Sequence, residues 1–176
     1  YNTARCNLWP ERWLDDCEAG LELRDLRGAE QTPWGAWLLE GLRSCALERA
    51  AALERMAREL AESGSLAKYG PVFLDNAAQL RHLAACPDWD GTLAAAKTDT
   101  DFGRLPPLRN CGDPELQARA KALREQTKEL IRGWCGELYG SSEEVLSDLA
   151  QTGDTLRALF ALTRDFAQRF AAEKRR

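Results

Sequence analysis

Only Val72, Ile131 and Val145 carry the Val and Ile side chains of this 176-residue chain. Sheets draw on β-branched residues, which pack well on a pleated surface, whereas Ala, Leu, Glu and Arg lose little freedom in a helix. Those four types dominate here. The composition therefore predicts an all-α fold. The length suits one core, and residues 1–176 are expected to form a single helical domain.

Apolar spacing and stop signals divide the chain into about six helices. Trp9, Trp13 and Cys17 share one face of a short helix from about Trp9 to Ala19. Thr32-Pro33 reads as an N-cap followed by proline at the first helical position. The second helix, from there to Glu62, is predicted to be ~45 Å long. Gly70-Pro71 opens a third helix that closes near Cys86-Pro87, and Asp88 caps a fourth containing Trp89 and Leu93. Residues 98–112 read as the one long loop. Asp113-Pro114-Glu115 starts a fifth helix running to about Tyr139, with Gly140 at the C′ position. Ser141-Ser142-Glu143-Glu144 reads as a capping box for the sixth. Long antiparallel helices in an irregular bundle are expected, with the six Trp residues mostly in the core and one exposed Trp a candidate to stack on a base.

The charge excludes one class of function. Lys and Arg number 24 against 28 Asp and Glu, a net charge of −4, which argues against a strongly basic stand-alone nucleic-acid binder but permits a local basic face. No apolar run approaches the ~20 residues that span a bilayer, and no membrane role is expected. Cys6, Cys17, Cys45, Cys86, Cys111 and Cys135 include no Cys-x-x-Cys pair, and His82 is the single histidine. Metal-ligand spacing is therefore missing, and the cysteines are expected to be reduced thiols in a cytoplasmic protein.

No catalytic constellation emerges. His82 has no evident nucleophile beside it in the helical pattern and reads as a structural histidine. Asp15-Asp16 and Asp88 with Asp90 are explained by solvation or by helix capping. The phosphate loop G-x-x-x-x-G-K-[ST] does not occur.

The fifth helix carries the pattern of most interest. Leu116, Ala120, Leu123, Thr127, Leu130, Trp134 and Leu138 form its expected buried stripe. One position further round, Lys121, Arg124, Lys128 and Arg132 recur at spacings of three and four, so they share one face. Such a row is either a solvated flank paired with Glu125 and Glu129, or a line of cations along a phosphate backbone. Arg104, beside Pro106-Pro107 in the long loop, is a further candidate contact.

The ends add an expectation about context. Residue 1 is Tyr, and Leu156, Leu159, Phe160, Thr163, Phe166, Ala167 and Phe170 carry an apolar stripe to the last turn before Lys174-Arg175-Arg176. This reads as a piece of a larger protein.

Three stretches then resemble one known family: Phe102 to Pro106, Ala118 to Leu130, and Leu162 to Arg175. Together they are similar to a region of AddA, from the bacterial ATP-dependent helicase–nucleases, that precedes its return to the first motor domain. There a helix of the form F-x-x-x-F-x-x-x-K, matched by Phe166, Phe170 and Lys174, leads into an "LDFSDLEH"-like segment that this sequence lacks. Trp9 to Leu14, with Asp15, also resembles the "P-x-x-W-L" helix that opens the inserted subdomain. The resemblance implies the 1B-type insertion of a UvrD/RecB-like superfamily-1 helicase, with no catalytic residue of its own. It further implies a parent that uses ATP and Mg2+, acts on double-stranded DNA ends in recombinational repair, and pairs with an AddB-like partner. The competing expectation is a stand-alone helical module that binds a partner helix.

Overall fold

In the computed structural model, which describes residues 9–23, 25–108 and 112–174, six α-helices follow one another and no strand occurs among the described residues. They are α1 (Pro10–Ala19), α2 (Pro33–Glu62), α3 (Gly70–Ala85), α4 (Trp89–Thr98), α5 (Pro114–Gly136) and α6 (Ser142–Glu173). Short 3-10 turns, which the helical periodicity did not signal, precede α2 and α3 at Ala29–Gln31 and Ala67–Tyr69.

Three of the capping signals, at Thr32, Asp88 and Asp113, act where the sequence put them. The Thr32 hydroxyl accepts from the Gly35 N–H at 2.9 Å and donates to the Ala29 carbonyl at 2.7 Å. Asp88 accepts from Gly91 N–H at 2.8 Å, and Asp113 from Leu116 N–H at 2.9 Å. Each satisfies an N–H that the first helical turn leaves without a partner. Gly140 has φ 62°, the left-handed conformation expected after a helix. The helix itself stops three residues before Tyr139. Glu137 and Leu138 turn to the tighter bonds onto Trp134 (3.2 Å) and Cys135 (3.1 Å), following two glycines that weaken the last α-helical turns.

The chain divides into two compact units, one built from residues up to Ala36 with Ser142 onward, the other from Trp37–Ser141. In the second, α2 buries Leu39, Leu42, Ala46, Ala50, Leu53 and Leu60 on one side, at the three- and four-residue spacing of a helical stripe. Phe73, Ala77, Leu80 and Leu83 of α3 and Ala120 and Ile131 of α5 complete that core. Arg81 of α3 meets Glu54 of α2 at 2.7 Å, while Arg43, earlier in α2, reaches the Cys86 carbonyl beyond the end of α3 at 2.6 Å. These two helices are therefore antiparallel. Arg119 pairs with Glu59 at 2.8 Å, whereas Trp134 packs near Trp37 and Gly41, so α5 is antiparallel to α2 as well.

In the first unit, α1 runs antiparallel to α6. Arg164 bridges Asp15 at 2.7 Å and Glu18 at 2.8 Å, and Arg157 donates to the Leu21 carbonyl at 3.3 Å. Ser142, at the start of α6, accepts from the buried Ala29 N–H at 3.1 Å. The apolar stripe of α6 separates into two lines. Leu156, Phe160, Thr163 and Ala167 are half-buried, whereas Leu159, Leu162, Phe166 and Phe170 are exposed. The Phe166 and Phe170 rings stack with centroids 6.1 Å apart, and the Lys174 ammonium lies 4.8 Å from the Phe170 ring centre.

The tryptophans depart from expectation. Trp89 is buried, donating to the Gly140 carbonyl at 3.1 Å, but Trp13 and Trp134 are half-buried and Trp9, Trp34 and Trp37 are exposed. Helical spacing puts a ring on a face, but only a neighbouring helix can cover it. Cys17, Cys45, Cys86 and Cys135 are free thiols, while Cys6 and Cys111 lie outside the described residues. Burial raises the pKa of all four, with that of Cys135 pushed up to about 11.

Candidate nucleic-acid interface

Helix α5 is turned slightly about its axis from the predicted setting. Its buried positions are Leu116, Ala120, Arg124, Thr127 and Ile131, while Leu123 is half-buried and Leu130 exposed. Leucine spacing favoured a stripe through Leu123 and Leu130. The alternative through Arg124 and Ile131 has the same period and places β-branched Ile131 in the core instead.

Arg124 is thus an interior residue, only 5% exposed, and not a member of an exposed cation row. Its Nε donates to Asn76 Oδ1 on α3 at 3.0 Å, and its guanidinium also donates to the Gly103 carbonyl and lies 5.5 Å from the centre of the buried Phe102 ring. A buried guanidinium survives only when its donors are matched. Burial nevertheless depresses its pKa from the ordinary arginine value. The consequence is positional. Arg124 holds Phe102-Gly103 against α5, and Arg104 follows directly, exposed.

Lys121, Lys128 and Arg132 remain on the flank of α5. Lys121 and Arg132 are exposed and Lys128 is half-buried. Lys121 and Lys128 lie three and four positions from Arg124, so they neighbour it along α5. None of Lys121, Lys128, Arg132 or Arg104 forms an ion pair among the described residues, and Glu125 and Glu129 do not neutralise them. Three cations without carboxylate partners among the described residues thus lie along the flank of α5, and a fourth, Arg104, follows the loop residues that Arg124 holds.

The remaining candidates have other partners. Nδ1 of exposed His82 is 2.6 Å from Asp99 Oδ2, Asp88 caps α4, and Asp15 holds Arg164. Among the described residues no cluster of His, Cys, Asp and Glu is arranged to hold a metal ion. No described helix is long and apolar enough to cross a membrane.

No family model matches the chain. It is similar to the AddA component of the ATP-dependent helicase/nuclease of Desulforudis audaxviator, 33% identical over 177 residues that cover 97% of this chain and 14% of that protein. The protein of the same name from Acetivibrio thermocellus is 25% identical over 183 residues, covering 100% of this chain and 14% of its own length. That from Ruminiclostridium cellulolyticum is 27% identical, covering 99% and 14%. The chain thus spans about one-seventh of the length of the relatives it matches.

Proposed function

From its match to one stretch of the AddA component of ATP-dependent helicase/nucleases, we propose that this chain is an accessory helical subdomain of an ATP-dependent DNA helicase/exonuclease. The observation that carries the reading is similarity along 97% of the chain to a protein of that name. On this reading the longer protein works beside an AddB-like partner in the cytoplasm, on double-strand breaks repaired by recombination. Its other parts handle ATP and Mg2+, and this segment touches DNA near the unwinding junction.

Lys121, Lys128, Arg132 and Arg104 are the groups assigned to that contact. Each would sit on a phosphate and release a condensed counterion, which positions the duplex without reading its sequence. Arg124 acts behind them by holding the loop that carries Arg104. The net charge of −4 opposes tight binding by the segment alone, because its own carboxylates repel DNA within a Debye length of about 10 Å. The contact therefore needs the rest of the enzyme to bring DNA to this flank.

The test replaces Lys121, Lys128, Arg132 and Arg104 with Gln in the longer protein and measures affinity for duplex ends across a salt series. Four lost phosphate contacts reduce the slope of log K against log salt by about 3.6. Unchanged affinity at both low and high salt would reduce the row to a solvated flank and overturn the assignment.

A further inference from the structure

On the side of α5 away from Lys121 and Lys128, an apolar groove runs between α5 and the start of α2. Trp37, Leu38, Leu130, Gly133 and Trp134 line it. Trp37 is 68% exposed and Leu130 42% exposed, and the Trp37 and Trp134 rings meet at 53° with centroids 6.1 Å apart. We infer that this groove docks an apolar helical segment of another protein chain, one that carries Lys or Arg beside its apolar stripe.

Two independent features point to that occupant. The first is Gly133. A glycine inside a helix costs stability, because the unfolded chain is freer and no side chain packs. Gly133 has an ordinary negative φ, and a Cβ built there would meet nothing within 4 Å. Among the described residues no neighbour therefore requires glycine at that point. A partner backbone lying close over the groove does call for it, since a small residue lets two helices approach.

The second feature is charge. Glu129 and Glu137 line the same groove, both exposed, and neither forms an ion pair among the described residues. Two carboxylates beside the exposed Trp37 indole repel a phosphate backbone, which disfavours base stacking on it. A second copy seated symmetrically would bring four like charges together. A basic helix meets both demands: its apolar anchors cover the indoles, and its cations reach Glu129 and Glu137.

The test uses a synthetic amphipathic peptide of about 20 residues with a Leu/Ala stripe flanked by Lys, and its counterpart with Glu at the Lys positions. Binding is followed by the indole N–H signals of Trp37 and Trp134 in nitrogen-labelled protein. The Lys peptide is expected to shift both signals saturably, and the Glu peptide to bind at least about tenfold more weakly. E129Q/E137Q and, separately, G133L should each weaken the Lys peptide about tenfold or more. Because leucine favours the helix and the position is open, G133L should retain the parent far-ultraviolet spectrum and denaturation midpoint. Equal affinity across these variants, shifts elicited by a single-stranded oligonucleotide instead, or self-association abolished by W37A would each overturn the proposal.

Discussion

Arg124 on α5 donates its Nε–H to Asn76 Oδ1 on α3 at 3.0 Å, inside the second unit, where Asn76 is 3% exposed. The same guanidinium reaches the Gly103 carbonyl, so one side chain couples two helices and the loop. A residue whose type suggests solvent and phosphate is here a structural tie.

This relationship makes Arg124 separable from the other cations. Arg124→Met leaves Asn76 Oδ1 and the Gly103 carbonyl without this donor, which should cost about 2–4 kcal/mol in chemical denaturation. In the longer protein already carrying Arg104→Gln, adding Arg124→Met should leave the salt slope for DNA unchanged. Lys121→Gln should do the reverse, flattening the slope by about 0.9 with stability nearly unchanged. A slope flattened by Arg124→Met in that Arg104→Gln background would return Arg124 to the phosphate contacts.

Gly41 is needed for Trp134 to sit against α2. A Cβ at residue 41 would collide with the Trp134 ring, so the indole must move. Gly41→Val should destabilise the chain by about 1–3 kcal/mol through overpacking, despite removing a helical glycine. Intrinsic fluorescence in native buffer should shift as well, because Trp134 gains solvent. Stabilisation would contradict the packing described.

Cys135 should impose an alkaline limit. Its pKa is raised from 9.0 to about 11, chiefly by burial, with Cys45 adding to the shift. The folded state therefore favours the protonated thiol. That contribution is fully present below pH 9 and is lost as pH climbs through about 11. Denaturation midpoints of Cys135→Ala and the parent should accordingly converge over this range. At pH 8, disulfide reagents should react far more slowly with native than with denatured protein, since only about one Cys135 in a thousand is thiolate.

Thr32 ties the turn at Ala29 to the start of α2. Thr32→Ala removes a cap worth about 1 kcal/mol and leaves the Gly35 N–H without its acceptor. Thr32→Ser, which keeps the hydroxyl, should recover most of that loss in thermal melts. Equal melts for the two variants would show that the cap contributes nothing.

Much of the architecture was legible in the chain because its signals are local. Three N-caps, the left-handed Gly140 and the near-absence of Val and Ile are local features of the chain, so spacing and composition alone reveal them. The early end of α5 was less legible, since frayed helix ends depend on small differences between competing backbone bonds.

The rotation of α5 about its axis was not written in its own spacing. Stripes through Leu123 and Leu130 or through Arg124 and Ile131 satisfy the helical period equally, and the first is the more apolar. Tertiary structure chose the second because α3 presents Asn76, and the loop presents the Gly103 carbonyl and the Phe102 ring, to a guanidinium that would otherwise be buried without partners. The sequence by itself determined which segments are helical and where they start. Only the packing of α2, α3 and α5 decided which side of each helix meets water, because burial depends on neighbours distant in the chain.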